Sequence, residues 1–98
     1  MKVVGRDLLD AFCAQHADAR AWIEAWLNEA EEMSWESPQD IKQRYATASF
    51  LAGNVVIFNV RGNRYRLEIK MSYRNGVAII CWAGTHREYD VRNRRRQR

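Results

Sequence analysis

The sequence predicts an α+β domain in which N-terminal helices pack on a small antiparallel β-sheet, closed by a short C-terminal helix or turn. Three observations carry that expectation. Apolar residues recur at helical spacing through the first third of the chain, the pattern changes to alternation after residue 55, and turn-forming segments at 61–63 and 75–76 separate three runs of strand character. The chain has 98 residues, enough for one domain. Its hydrophobic fraction of 47% against a charged fraction of 29% sets it apart from disordered sequences.

The first helix is expected over 6–15, where Leu8, Leu9 and Phe12 form a short apolar stripe beside Cys13. Asp18 suits the N-cap of a second helix over 19–32. There Ala19, Trp22, Ile23, Trp26, Leu27 and Ala30 recur at helical spacing, while Glu24, Asn28, Glu31 and Glu32 face elsewhere. Trp22 and Trp26 share the apolar face. Core packing is the favoured role for both; a nucleobase-stacking platform is the alternative, disfavoured by the acids around them. Residues 34–38 form a linker. Ser37 as N-cap, Pro38 at the first helical position and Asp40 in the first turn then open a short helix, about 38–45. The stretch 46–54 reads as irregular, ended by Gly53-Asn54.

Residues 55–60 are β-branched and apolar, a strand covered on both faces. Arg61-Gly62-Asn63 turns the chain, with Gly62 or Asn63 available for positive φ. The second strand alternates: Tyr65, Leu67, Ile69, Met71 and Tyr73 on one side, Arg64, Arg66, Glu68, Lys70, Ser72 and Arg74 on the other. Asn75-Gly76 is a type I′ hairpin signal, and 77–83 returns as a third strand that Gly84 breaks. Thr85 and Glu88 then stand in capping-box spacing, opening a terminal helix or turn with His86, Arg87 and Tyr89.

Charge divides the chain. Residues 1–49 carry five Lys/Arg against nine Asp/Glu, and residues 50–98 carry eleven against three. The basic half fits a polyanionic partner; the alternative is a solubilising tail on a slightly basic sheet. Five arginines crowd 92–98, so the domain is expected over 1–91 with 92–98 a basic, mobile tail. No apolar run nears the ~20 residues of a membrane span, and Asp7 and Asp10 interrupt the N-terminus before an apolar stretch of signal-peptide length. A soluble cytoplasmic protein with no membrane partner is the expectation. Cys13 and Cys81 are expected as buried free thiols.

Alternate strand residues project from one face, so Arg64, Arg66, Glu68 and Lys70 would form a row about 6–7 Å apart. Guanidinium groups there can grip phosphates through paired hydrogen bonds. Alternatively the row is a solvated face in which Glu68 pairs with Arg66 or Lys70. His86 has the ring suited to proton transfer near neutral pH, or is an ordinary capping or surface histidine. With His16 distant in sequence and no ligand spacing, neither a metal nor another cofactor is expected, and phosphate-loop and nucleophile-elbow motifs are absent.

The block 56–67 (Val-Ile-Phe-Asn-Val-Arg-Gly-Asn-Arg-Tyr-Arg-Leu), followed by a strand and then Gly-Thr-His-Arg-Glu-Tyr-Asp at 84–90, resembles the HigB family of type II toxin–antitoxin toxins. The resemblance is strong over about 55–90. It implies a RelE-like fold and a metal-independent endoribonuclease that cleaves mRNA on the translating ribosome, the ribose 2′-OH attacking the adjacent phosphate. It also implies a HigA-like helix-turn-helix antitoxin as partner. On this reading Arg66 and Lys70 hold the scissile phosphate, His86 is general acid or base, and Tyr89 stacks on or orients the nucleotide. Arg61, Arg64 and Arg87 hold flanking phosphates, and Asn63 shapes the turn or touches RNA. The competing functions are a toxin of the same fold acting on DNA gyrase and a non-catalytic RNA-binding module. Arg61 and the arginine-dense C-terminus depart from the family pattern.

Overall fold

In the computed structural model, which describes residues 1–96, the chain is α+β, with a mixed five-stranded sheet. The elements in order are β1 (Lys2–Val4), α1 (Arg6–Gln15), a single 3₁₀ turn (Ala17–Ala19), α2 (Arg20–Glu32), α3 (Pro38–Arg44), β2 (Ser49–Leu51), β3 (Val55–Val60), β4 (Tyr65–Ser72), β5 (Val77–Thr85) and α4 (His86–Arg96). The sheet order is β1-β5-β4-β3-β2. The expected meander β3-β4-β5 forms its centre, but the sheet is not wholly antiparallel: β1 pairs parallel to β5. β2 pairs with β3 inside the stretch expected to be irregular.

The alternation of β4 sets the two faces. Tyr65, Leu67, Ile69 and Met71 are buried with Val56, Phe58 and Val60 of β3 and with Leu9, Ile23 and Trp26 of the helices. The Trp26 and Phe58 rings meet edge-on at 5.5 Å. Trp26 fills the core as expected, whereas Trp22 is only half-buried. On the opposite face Ile57 and Glu68 are also buried. They and Trp82 lie side by side across the strands, and the Glu68 carboxylate receives hydrogen bonds from α4. β3 is thus covered on both faces, as its apolar run predicts.

Several local expectations are revised. Asp18 does not cap α2, because its carboxylate accepts from Tyr65 and Arg64 instead; the N-cap position falls to Ala19. Ser37 makes no side-chain cap at α3, where Asp40 reaches back to the Glu36 N–H. Ser72 pairs with Val77, so the turn has four residues, 73–76, and only Gly76 of the Asn75-Gly76 pair takes a positive φ. Gly84 does not break β5, which runs on to Thr85. It is there for space: a Cβ would stand 2.6 Å from the Trp82 ring and 2.9 Å from the Glu88 carboxylate. Both cysteines are free, but Cys81 is half-buried where Cys13 is buried.

The arginine-rich end differs most. Residues 92–96 continue α4 rather than starting a mobile tail; Gln97 and Arg98 lie outside the described residues. No residue of α4 is buried, so an apolar stripe does not hold this helix. Its anchor is Glu68, only 4% exposed, which accepts two hydrogen bonds of 3.1 Å from Arg92 and a further one from Arg96.

Candidate nucleic-acid interface

The junction of β5 and α4 is built by a reciprocal capping box. The Glu88 N–H donates to the Thr85 hydroxyl (3.1 Å), and the Thr85 N–H donates to the Glu88 carboxylate (2.8 Å). This fixes where the helix begins and so where His86 stands. The His86 backbone N–H donates to the Arg64 carbonyl (3.0 Å), tying the junction to the 61–64 turn. Its Nδ1 lies 3.1 Å from the Asp90 carboxylate, one helical turn on. Nδ1 thus faces an orienting carboxylate, leaving Nε2 as the nitrogen open to a substrate. Its side chain is 44% exposed, so access is not blocked. Tyr89, three residues from His86, is a neighbour on the helix surface. Its ring centroid is 6.1 Å from that of Trp82.

Arg66 lies directly across from Gly84 in the β4–β5 ladder, close in the chain to His86. It is half-buried, donates to the Tyr65 carbonyl (3.1 Å) and has no carboxylate partner among the described residues. Its charge is therefore available to a ligand. Arg87 is exposed in the first turn of α4, also without an acid partner among the described residues.

The continuous cationic row does not form. Arg64 precedes β4 and turns to Asp18, 2.9 Å away. Glu68 pairs with neither Arg66 nor Lys70, because α4 supplies arginines that reach it in a buried position. Lys70 is exposed and four residues along from Arg66, about 13 Å at the usual rise of a strand. The clamped Glu68 stands between the two. The geometry therefore groups Arg66, His86 and Tyr89 at one end and leaves Lys70 apart.

The 61–64 turn carries the remaining sequence candidates. Arg61 (φ +54°) and Gly62 (φ +66°) take the left-handed backbone; Asn63 does not. Arg61 donates to the Asp18 carbonyl (3.4 Å). Asp18 itself is held below the usual carboxylate range, chiefly by the Tyr65 hydroxyl at 2.6 Å and also by Arg64, against a smaller opposing effect of desolvation. The turn is thus pinned to the 3₁₀ turn before α2.

Sequence reasoning set His16 aside as distant from His86. It follows α1, its ring 4.9 Å from Tyr65 and 5.0 Å from Phe12, and it lines a cleft of about 220 Å³ together with Gly84 and Glu88. The fold, not the spacing, brings it to the β5–α4 junction. Among the described residues no group of three or more His, Cys, Asp or Glu side chains is placed to hold a metal ion.

Residues 19–92 match a family model described as the HigB toxin, the RelE-like toxic component of a toxin–antitoxin system. That is most of the chain. The chain belongs to this family. No curated protein matches it. The HigB match extends the resemblance beyond the 55–90 block to α2 and α3, and takes in all of the capping box and Arg92. A toxin of this kind has a cognate antitoxin as its partner. No helix in the described residues is long and apolar enough to cross a membrane.

Proposed function

We propose that this HigB-family toxin is an endoribonuclease that cleaves mRNA on the translating ribosome without a metal. The observation that supports the proposal is one of backbone placement: an imidazole aligned by a carboxylate, and a guanidinium with no carboxylate partner among the described residues, stand on neighbouring backbone positions at one end of the sheet. His86 is aligned by Asp90 and tied to the 61–64 turn, and Arg66 sits beside that junction. In the proposed reaction the ribose 2′-oxygen attacks the adjacent phosphorus. The P–O5′ bond breaks, leaving a 2′,3′-cyclic phosphate and a free 5′-OH, and the 2′-OH proton is balanced by the one the leaving oxygen takes up. Arg66 stabilises the charge that builds on the phosphoryl oxygens. His86 exchanges a proton through Nε2, and Tyr89 supports the nucleotide by stacking. Arg61, Arg64, Arg87 and Asn63 meet flanking parts of the strand. Lys70 is reassigned to a flanking phosphate, since Arg66 and Lys70 are too far apart along β4 to be a simple clamp on one phosphate.

The partner on this reading is a HigA-like helix-turn-helix antitoxin, and the site of action is the cytoplasm. Induced expression with mapping of RNA 5′ ends tests the proposal. Wild type should yield new 5′-OH ends within translated messages, and His86→Ala should not. Loss of DNA supercoiling with no new RNA ends would identify gyrase as the target instead. RNA binding without cleavage would leave only a non-catalytic module.

A further inference from the structure

We propose that the cleft between α2 and the 61–64 turn is a nucleobase pocket that holds a base flanking the cleavage point and so contributes to sequence preference. The inference rests on the RNA-cleaving function above and adds to it a site of its own. The cleft has a volume of about 460 Å³ and is lined by Trp22, Arg44, Tyr45, Thr47, Gly62 and Asn63, among others. That volume is within the range of about 300–1,000 Å³ typical of small-ligand sites.

Its walls suit a flat, polar-edged ring. Trp22 and Tyr45 are both half-buried, with ring centroids 6.1 Å apart and planes tilted by 56°. The Arg44 guanidinium lies 4.9 Å from the Tyr45 ring centroid. Aromatic rings and guanidinium planes are the surfaces on which unpaired bases stack. Two acids lie nearby: Glu29 is engaged by Arg44 (2.7 Å) and by the Tyr45 hydroxyl, and Asp18, against the 61–64 turn, by Arg64 (2.9 Å) and the Tyr65 hydroxyl. Their charges are thus largely offset where a polyanion would approach. The Asn63 amide and Thr47 hydroxyl make no hydrogen bond among the described residues, so both can read the edge of a base. Trp26 also contributes to the wall, and its buried indole N–H has no partner among the described residues.

Position ties the cleft to the reaction. Gly62 and Asn63 form its rim, and the next residue, Arg64, accepts the His86 N–H through its carbonyl. The cleft and His86 therefore share one four-residue turn. A strand crossing that turn meets the cations Arg61 and Arg64 on the way. Aromatic faces beside free amides and cations favour a base over an aliphatic side chain of a protein partner.

Two variants test the pocket: Trp22→Ala removes a stacking face, and Ala25→Leu fills the cleft from an exposed helical position. The bases flanking the cut sites are compared with wild type by 5′-end mapping after induction. Indole N–H resonances are followed by NMR during titration with the four nucleoside 5′-monophosphates. Wild type should prefer a base at one flanking position, and both variants should lose that preference. Affinity for a hexanucleotide should fall about tenfold or more. The Trp22 resonance should move with at least one nucleotide in wild type but not in Ala25→Leu. If Trp22→Ala fails to fold by circular dichroism, Ala25→Leu decides alone. An unchanged flanking preference in folded variants overturns the pocket while leaving the nuclease standing. A wild type that produces no new RNA ends overturns both. A Trp22 resonance that responds to the antitoxin and to no nucleotide reassigns the cleft to the protein partner.

Discussion

In the proposed reaction His86 and Asp90 have separable roles. A positioned proton-transfer group is typically worth ~10²–10⁴-fold in rate. His86→Ala should lose activity on that scale and keep its thermal midpoint, because the ring is half-exposed and the N–H that binds Arg64 belongs to the backbone. Asp90→Asn keeps a partner for Nδ1 but no charge, so cleavage should fall by less than in His86→Ala. Equal losses in single-turnover assays would mean that Asp90 does more than orient. Arg66→Ala should slow cleavage without changing stability by more than about 1 kcal/mol, since the guanidinium makes no salt bridge among the described residues. Arg61 is a different case. A bulky residue at φ +54° stores strain of ~1–3 kcal/mol. Arg61→Gly should therefore raise the urea midpoint while weakening RNA binding, and a fall in both would show that the side chain supports the turn.

At the scale of elements, α4 decides whether the site exists. Thr85→Ala removes one half of the capping box and should cost about 1 kcal/mol. Gly84→Ala drives a methyl group into the Trp82 ring beneath the start of the helix. It should cost ~1–3 kcal/mol, read by denaturant unfolding. The Glu68 clamp is asymmetric. Arg92 and Arg96 are 38% and 32% exposed and can turn to water, whereas the Glu68 side chain is 5% exposed and cannot. Replacing both arginines by methionine should therefore destabilise more than Glu68→Gln, ~3–5 against ~1–3 kcal/mol. The reverse order, measured by urea unfolding, would refute the clamp.

The same elements show what was readable beforehand. The helices over 6–15 and 38–44, the three central strands and the Thr85–Glu88 box follow from periodicity and capping chemistry, which are local. The two edge strands β1 and β2 are three residues each, too short for alternation to register. Their pairing depends on partners far along the chain. The end of α4 was hidden for another reason: a helix held by a buried carboxylate needs no apolar stripe, and a run of arginines without one resembles a tail. For the candidate site, His86, Tyr89 and Arg66 come from the family resemblance carried by the 56–67 and 84–90 blocks, which are local in sequence. The diversion of Arg64 to Asp18, the isolation of Lys70 and the approach of His16 arise only when distant segments fold together.

For the molecule as a whole, ionisation bounds stability from both sides. Burial alone would raise the Glu68 carboxyl, but the hydrogen bonds and charges of Arg92 and Arg96 outweigh it and hold it low. The Glu88 carboxyl is also held low, first by the Thr85 backbone N–H, and Asp18 by the Tyr65 hydroxyl. Carboxylates depressed in the folded state contribute stability that is complete above their unfolded pKa and lost as pH falls through the folded one. At the other end, burial and the Glu29 hydrogen bond raise Tyr45, and the hydrogen bond to Asp18 raises Tyr65. Their contribution is complete below the unfolded tyrosine value near 10 and lost as pH rises through the folded values. The urea midpoint should be flat between about pH 5 and 9 and fall on both sides. Glu68→Gln should flatten the acid limb and Tyr65→Phe the alkaline one; limbs unaltered by these changes would assign the titration elsewhere.

The brevity of β1 and β2 has a consequence for how copies of the protein meet. The outermost strands are three residues each, and Lys2 lies on one of them. A short, charged border gives an incoming strand little to zip onto. Released from its antitoxin, the toxin should therefore remain dispersed and active rather than be drained into fibrils.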